Sequence, residues 1–135
     1  MKVLFDTNVI LDVMLDRKPF SNVSAQLFSK VESGDIIGYI SATTVTTIHY
    51  LAVKVVGTGK AKSEIDKLFT LFEIAPVNRT ALEEAAKSNI TDFEDAVIHE
   101  AARHVGVDAI VSRNVKDFKR AILPVYTPNE LSKIL

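Results

Sequence analysis

The chain has no cysteine and no tryptophan, and only five glycines and four prolines among its 135 residues. Without cysteine there can be no disulfide, no thiolate metal site and no thiol nucleophile, so any metal must be held by oxygen or imidazole. No apolar run approaches the ~20 residues of a membrane-spanning helix. Between Lys2 and Asp6 stand only three apolar residues, far short of the ~7–15 that a signal peptide needs. A cytoplasmic protein with no membrane partner is therefore expected. An excess of one charge is also missing. Sixteen basic side chains face seventeen acidic ones, a formal net charge of -1, so a polyanion could be met only by a local basic patch.

What remains is the make-up of an ordinary globular protein, 47% hydrophobic and 24% charged, at a length that suits one domain over residues 1–135. Apolar runs of strand length recur at Val3–Phe5, Ile36–Ile40, Leu71–Ala75, Ala109–Val111 and Leu123–Tyr126. Helical patterns separate most of them, which predicts an α/β fold with a parallel sheet covered by helices. Ser21 to Glu32 reads as a helix, with Val23, Leu27 and Val31 on one face and Gly34 to end it. Thr43 to Phe69 reads as two helices broken at Gly57-Thr58-Gly59. Thr91-Asp92-Phe93-Glu94 and Thr127-Pro128-Asn129-Glu130 carry the capping-box pattern of helix starts.

Polar residues gather where apolar segments stop. Asp6-Thr7-Asn8 interrupts the run from Val3 to Leu11, and Ser112, Arg113, Asn114 and Asp117 follow Ala109–Val111. Ligands of open parallel sheets bind beyond the carboxyl ends of the strands, where loops carry what the core rejects. Asp92 and Asp95 lie three apart at a helix start and so neighbour each other. Each feature has a plainer explanation: first-turn acids cap helices, and Asp-Thr-Asn forms turns. Together, however, the topology can bring Asp6, Asp95 and Asp117 to one end of the sheet. Crowded carboxylates suit a hard divalent cation such as Mg²⁺ or Mn²⁺. Such an ion beside a phosphodiester polarises the phosphoryl oxygen and activates water.

VLFDTNVILD, DFEDAVIHEAA and DAIVSRNVKDF, in that order and spanning the chain, resemble the PIN-domain family. The resemblance implies a three-layer α/β/α fold with a mostly parallel five-stranded sheet. It also implies a Mg²⁺- or Mn²⁺-dependent ribonuclease acting on RNA, with the toxins of VapC type among such proteins. Homodimers and an antitoxin protein are the partners it suggests. Matched by position, Asp6, Asp95 and Asp117 would be catalytic metal ligands, with Asp92 joining them at the metal. Asn8, Ser112 and Asn114 would support the pocket.

One position departs from that pattern. Where the family usually has a glutamate, on the helix after the second strand, this chain has Thr47. Three readings stay open: Asp92 offsets the loss, the site is weakened and the domain is a poor nuclease or a module that binds RNA or a protein, or the alignment slips. No acid occurs between Ile36 and Ala61, which disfavours the last. His49 lies two residues from Thr47 and so points elsewhere on a helix, which gives it a structural or solvated role. The expectation for His99 and His104 is solvent-facing or partly buried.

For substrate phosphates, Arg113 and Lys116 adjoin the Asp117 motif, with Lys119 and Arg120 beyond them. No aromatic platform for stacking single strands is evident. A nucleotide-binding domain would fit the sheet, but neither a Gly-x-Gly-x-x-Gly turn nor a phosphate loop ending in Gly-Lys-Ser/Thr is present.

Overall fold

A computed structural model describes all 135 residues. Five strands, β1 (Lys2–Phe5), β2 (Ile37–Ser41), β3 (Glu73–Ala75), β4 (Ala109–Val111) and β5 (Val125–Tyr126), form one sheet in the order β3-β2-β1-β4-β5. Every pairing is parallel. The helices are α1 (Thr7–Met14), α2 (Ser21–Glu32), α3 (Ala42–Val56), α4 (Thr58–Leu71), α5 (Arg79–Lys87), α6 (Phe93–Val105) and α7 (Pro128–Ile134). A 3-10 turn spans Val115–Phe118.

Alternation along the strands builds two cores, one on each face. Val3 and Phe5 of β1 pack with Leu27, Ile40, Ile48 and Leu131 on one side. Leu4 joins Ile110, Ala85 and Ile98 on the other. These side chains are essentially inaccessible, and each buried Leu, Ile or Phe contributes about 1.5–3 kcal/mol. On the first face Phe5, Phe28 and Phe72 meet edge to face, with centroids 5.1 to 5.9 Å apart. Gly38 makes room for that cluster, since a Cβ there would fall 2.7 Å from the Phe72 ring.

The helix over Ser21–Glu32, the break at Gly57 and the capping box at Thr127 occur as the sequence predicts. Other boundaries differ. Leu71 ends α4 instead of opening β3, because the amide of Phe72 still bonds to the Leu68 carbonyl. The last strand begins only at Val125, since Pro124 has no N–H to give the ladder. The cap of α6 is Asp92 and not Thr91: its side chain accepts from the Asp95 amide at 3.0 Å.

Two helices have no counterpart in the expectations. In α1, Val9, Ile10, Leu11 and Asp12 are all buried, but the helix has only eight residues, fewer than the ~11–18 over which a helical period is read. In α5 the buried face consists of Ala81 and Ala85 alone, with Asn78 as the cap.

From β1 the chain winds outward through β2 to β3, then returns to place β4 against the other edge of β1. The direction of winding therefore switches between β1 and β4, where such sheets open a crevice at their carboxyl ends. Asp6 and Ser112 are the first residues past those two strands.

Candidate active site

Asp6 caps α1 immediately after β1, its Oδ1 accepting from the Thr7 amide at 2.8 Å. Its Oδ2 accepts from the hydroxyl of Ser112 at 2.7 Å. Ser112 is fully buried, and its Oγ in turn accepts from the Asn114 amide at 3.0 Å. Asp6 is thus clamped at both oxygens and only 4% exposed. Burial pushes its pKa up and the nearby Asp117 charge adds to this, while the Ser112 and Thr7 hydrogen bonds and Arg113 act in the opposite direction.

A cleft of about 280 Å³ opens above Asp6. Asp92, Glu94 and Asp95 enter it from the start of α6, Asn114 and Asp117 from the turn after β4. Asn8 and Thr47 complete it from α1 and α3. The predicted acids Asp6, Asp92, Asp95 and Asp117 therefore do converge, as do Asn8, Thr47 and Asn114. Ser112 lies beneath the floor, bonded to Asp6.

The electrostatics record the crowding. Burial raises the pKa of Asp95 to about 7, with the charges of Asp6, Asp92, Asp117 and Glu94 adding to it. Glu94 is raised as well, by burial and then by Asp92 and Asp6. Glu94 is the residue that sequence reasoning missed: read as part of a helix cap, it is a fifth carboxylate in the cleft. Its position two residues after Asp92, on the same first turn, was the available signal.

No three of these side chains stand close enough to grip one ion together. The donors are nonetheless all oxygen, anionic and partly desolvated, and Asp6 is held rigid. Such a set fits Mg²⁺ or Mn²⁺, which is commonly bound by one or two carboxylates and keeps several waters.

The basic residues divide. Lys116, Lys119 and Arg120 line a second cleft of about 570 Å³ with Asn89 and Thr91, and that cleft shares Asp92 and Asp117 with the first. Arg113 is not in it. Its Nε and Nη2 donate to the buried Asp12 at 2.6 and 3.3 Å, and its plane rests on Phe20.

The histidines also take separate places. His99 is buried, against expectation, and its Nε2 accepts from the amides of Ile122 and Leu123 at 3.1 and 3.3 Å. Burial lowers its pKa, so the neutral ring that can accept is the favoured form. His49 is half-buried between α3 and α4 beside Lys62 and Asp66, and His104 pairs with Glu84.

Fold and cleft together define an all-parallel, doubly wound α/β domain with an acidic crevice at its switch point. The chain belongs to the PIN-domain family, whose model matches residues 2–116. Ribonuclease VapC1 of Aquifex aeolicus (strain VF5) is 28% identical over 134 residues, covering 96% of this chain and 92% of that protein. Among solved structures, FitAB bound to an IR36 DNA fragment superposes with a TM-score of 0.73 at 20% identity, over 93% of this chain and 94% of that one. A toxin–antitoxin complex from Klebsiella pneumoniae does so with a TM-score of 0.70 at 23% identity, over 93% and 97%. No helix here is long and apolar enough to cross a membrane.

Proposed function

We propose that this protein is a divalent-metal-dependent endoribonuclease that hydrolyses RNA phosphodiester bonds, acting as the toxin of a toxin–antitoxin pair. The observation that carries the reading is the convergence of Asp6, Asp95 and Asp117 on one cleft at the switch point. Family membership and the similarity to a VapC ribonuclease support it.

Asp6, Asp92, Asp95 and Asp117 would line the Mg²⁺ or Mn²⁺ site, one or two of them as direct ligands and the others through metal-bound water, with Asn8, Thr47 and Asn114 supporting the pocket. When bound, the ion supplies polarisation of a phosphoryl oxygen and acidification of water. Ser112 keeps Asp6 in one orientation. Lys116, Lys119 and Arg120 would hold backbone phosphates of the strand in the adjoining cleft, contacts that position RNA without reading its sequence.

The test is cleavage of single-stranded and structured RNA by purified protein with Mn²⁺ or Mg²⁺, with Asp95→Asn in parallel. Cleavage abolished by chelator and by the substitution is the expected outcome. Equal cleavage by both proteins, or none, would leave the second reading, a binding module favoured by Thr47 in place of the usual glutamate.

The fold neighbours include a toxin–antitoxin complex, which supports an antitoxin as partner. Exposed Tyr50, Val55 and Phe69 on α3 and α4 supply apolar surface for a homodimer. Sedimentation showing a monomer would remove that part of the reading.

A further inference from the structure

We infer that Asp12 is a positioning residue for the candidate metal site, acting through Arg113 to fix the turn whose Ser112 hydroxyl holds Asp6. The inference rests on the proposed metal-dependent reading for its consequence, though not for its geometry.

Asp12 lies on α1 and is completely inaccessible. A buried carboxylate persists only when it is paired and hydrogen-bonded. Arg113 provides the aligned pair, Nε at 2.6 Å and Nη2 at 3.3 Å on the two oxygens. Arg17 brings its Nε to 2.9 Å as an ion pair, but without hydrogen-bond alignment. Phe20, its ring centroid 4.0 Å from the guanidinium carbon, covers Arg113 from the α1–α2 connection. The guanidinium is therefore fixed by a two-point ion pair and by a ring, an arrangement that a lysine cannot reproduce.

Arg113 is also the middle residue of the turn that makes the site. The Ser112 amide is tied to Tyr126 and the Ser112 hydroxyl to Asp6, while the Asn114 amide donates back to that hydroxyl. Any rotation at Arg113 moves the Asn114 amide and frees Ser112 Oγ to turn from Asp6. Asp12, 101 positions away in sequence, thus sets the orientation of the metal-facing carboxylate. With Nε and Nη2 engaged, Arg113 holds the scaffold and is not a free ligand for RNA phosphate.

The test compares Asp12→Asn, Arg113→Lys and Phe20→Leu with wild type in two ways: Mn²⁺ affinity by calorimetry, and hydrogen exchange at the Asn114 amide by NMR. Asp12→Asn and Arg113→Lys should each weaken Mn²⁺ binding by roughly tenfold, as loss of a group supporting a metal ligand does. Combining them should add little, because both act on one contact. Asn114 exchange should quicken relative to core amides. Phe20→Leu should shift both readouts the same way by less, and decides the matter if Asp12→Asn does not fold. Unchanged Mn²⁺ affinity and unchanged Asn114 exchange would overturn the inference, as would an Arg113→Lys protein impaired only in RNA binding. If wild type bound no Mn²⁺ while Asn114 exchange still rose in the variants, the positioning would stand and the nuclease reading would fall.

Discussion

The hydroxyl of Ser112 donates to Asp6 across 2.7 Å, between two buried residues 106 positions apart. Removing that donor in Ser112→Ala leaves a carboxylate oxygen desolvated and without a partner. We expect a loss of about 1–3 kcal/mol in urea unfolding, and weaker Mn²⁺ binding that excess metal restores. Unchanged stability would mean that water replaces the hydroxyl without penalty.

Asp95 gives the metal-free protein a distinctive pH dependence. Its folded pKa of about 7 exceeds its ordinary 3.8, so between those values the folded chain keeps a proton that the unfolded chain has lost. Its contribution to stability is full below about pH 3.8 and disappears as pH rises through about 7. His99, lowered from 6.5, opposes this: as pH falls below 6.5 the unfolded chain gains a proton first, and stability drops. Asp95→Asn separates the two. In scanning calorimetry without metal the variant should melt above wild type at pH 8 and near it at pH 4, and Mn²⁺ should stabilise wild type alone at pH 8. An equal difference at both pH values would contradict the assignment.

Glu94 occupies the cleft that Thr47 leaves without an acid on the α3 side. Glu94→Gln should lower Mn²⁺ affinity roughly tenfold, and Thr47→Glu should give no gain in cleavage. A large gain from Thr47→Glu, with Glu94→Gln silent, would show a site short of one ligand.

The second cleft should behave as a phosphate track. Substituting Lys116, Lys119 or Arg120 with glutamine should weaken RNA binding for all sequences alike and lower the salt slope by about 1 each. Titrations of RNA binding against salt concentration would read this, and Mn²⁺ affinity should stay constant.

His99 joins α6 to the segment after Asp117. His99→Leu removes the acceptor for two amides and should cost about 1–3 kcal/mol in urea unfolding. His99→Gln, which restores an acceptor, should recover part of that loss.

Much of the architecture is written locally. Helix α2, the capping box of α7 and the break at Gly57 follow from spacing, caps and glycine conformation, each within a few residues. The parallel sheet follows from apolar runs alternating with helices. Asp6 and Asp95 are legible for a related reason, since one follows a strand and the other lies in the first turn of a helix, whereas Asp117, inside the 3-10 turn six residues beyond β4, is picked out by the family pattern. Helix α1 is hidden, because its eight residues are too few to show a helical period.

The pairings across the chain are a different matter. Nothing in the neighbourhood of Arg113 distinguishes a cation that binds phosphate from one that neutralises Asp12, because charge is local in sequence but its partner is chosen by the fold. The same holds for Glu94, whose side chain either closes a helix cap or faces a cleft according to which residue starts α6. The sequence determined which groups are present and which elements carry them. Only the tertiary structure decided which of them lie within reach of each other, since hydrogen bonds and ion pairs act over a few ångströms and the chain spans a hundred residues between Asp6 and Ser112.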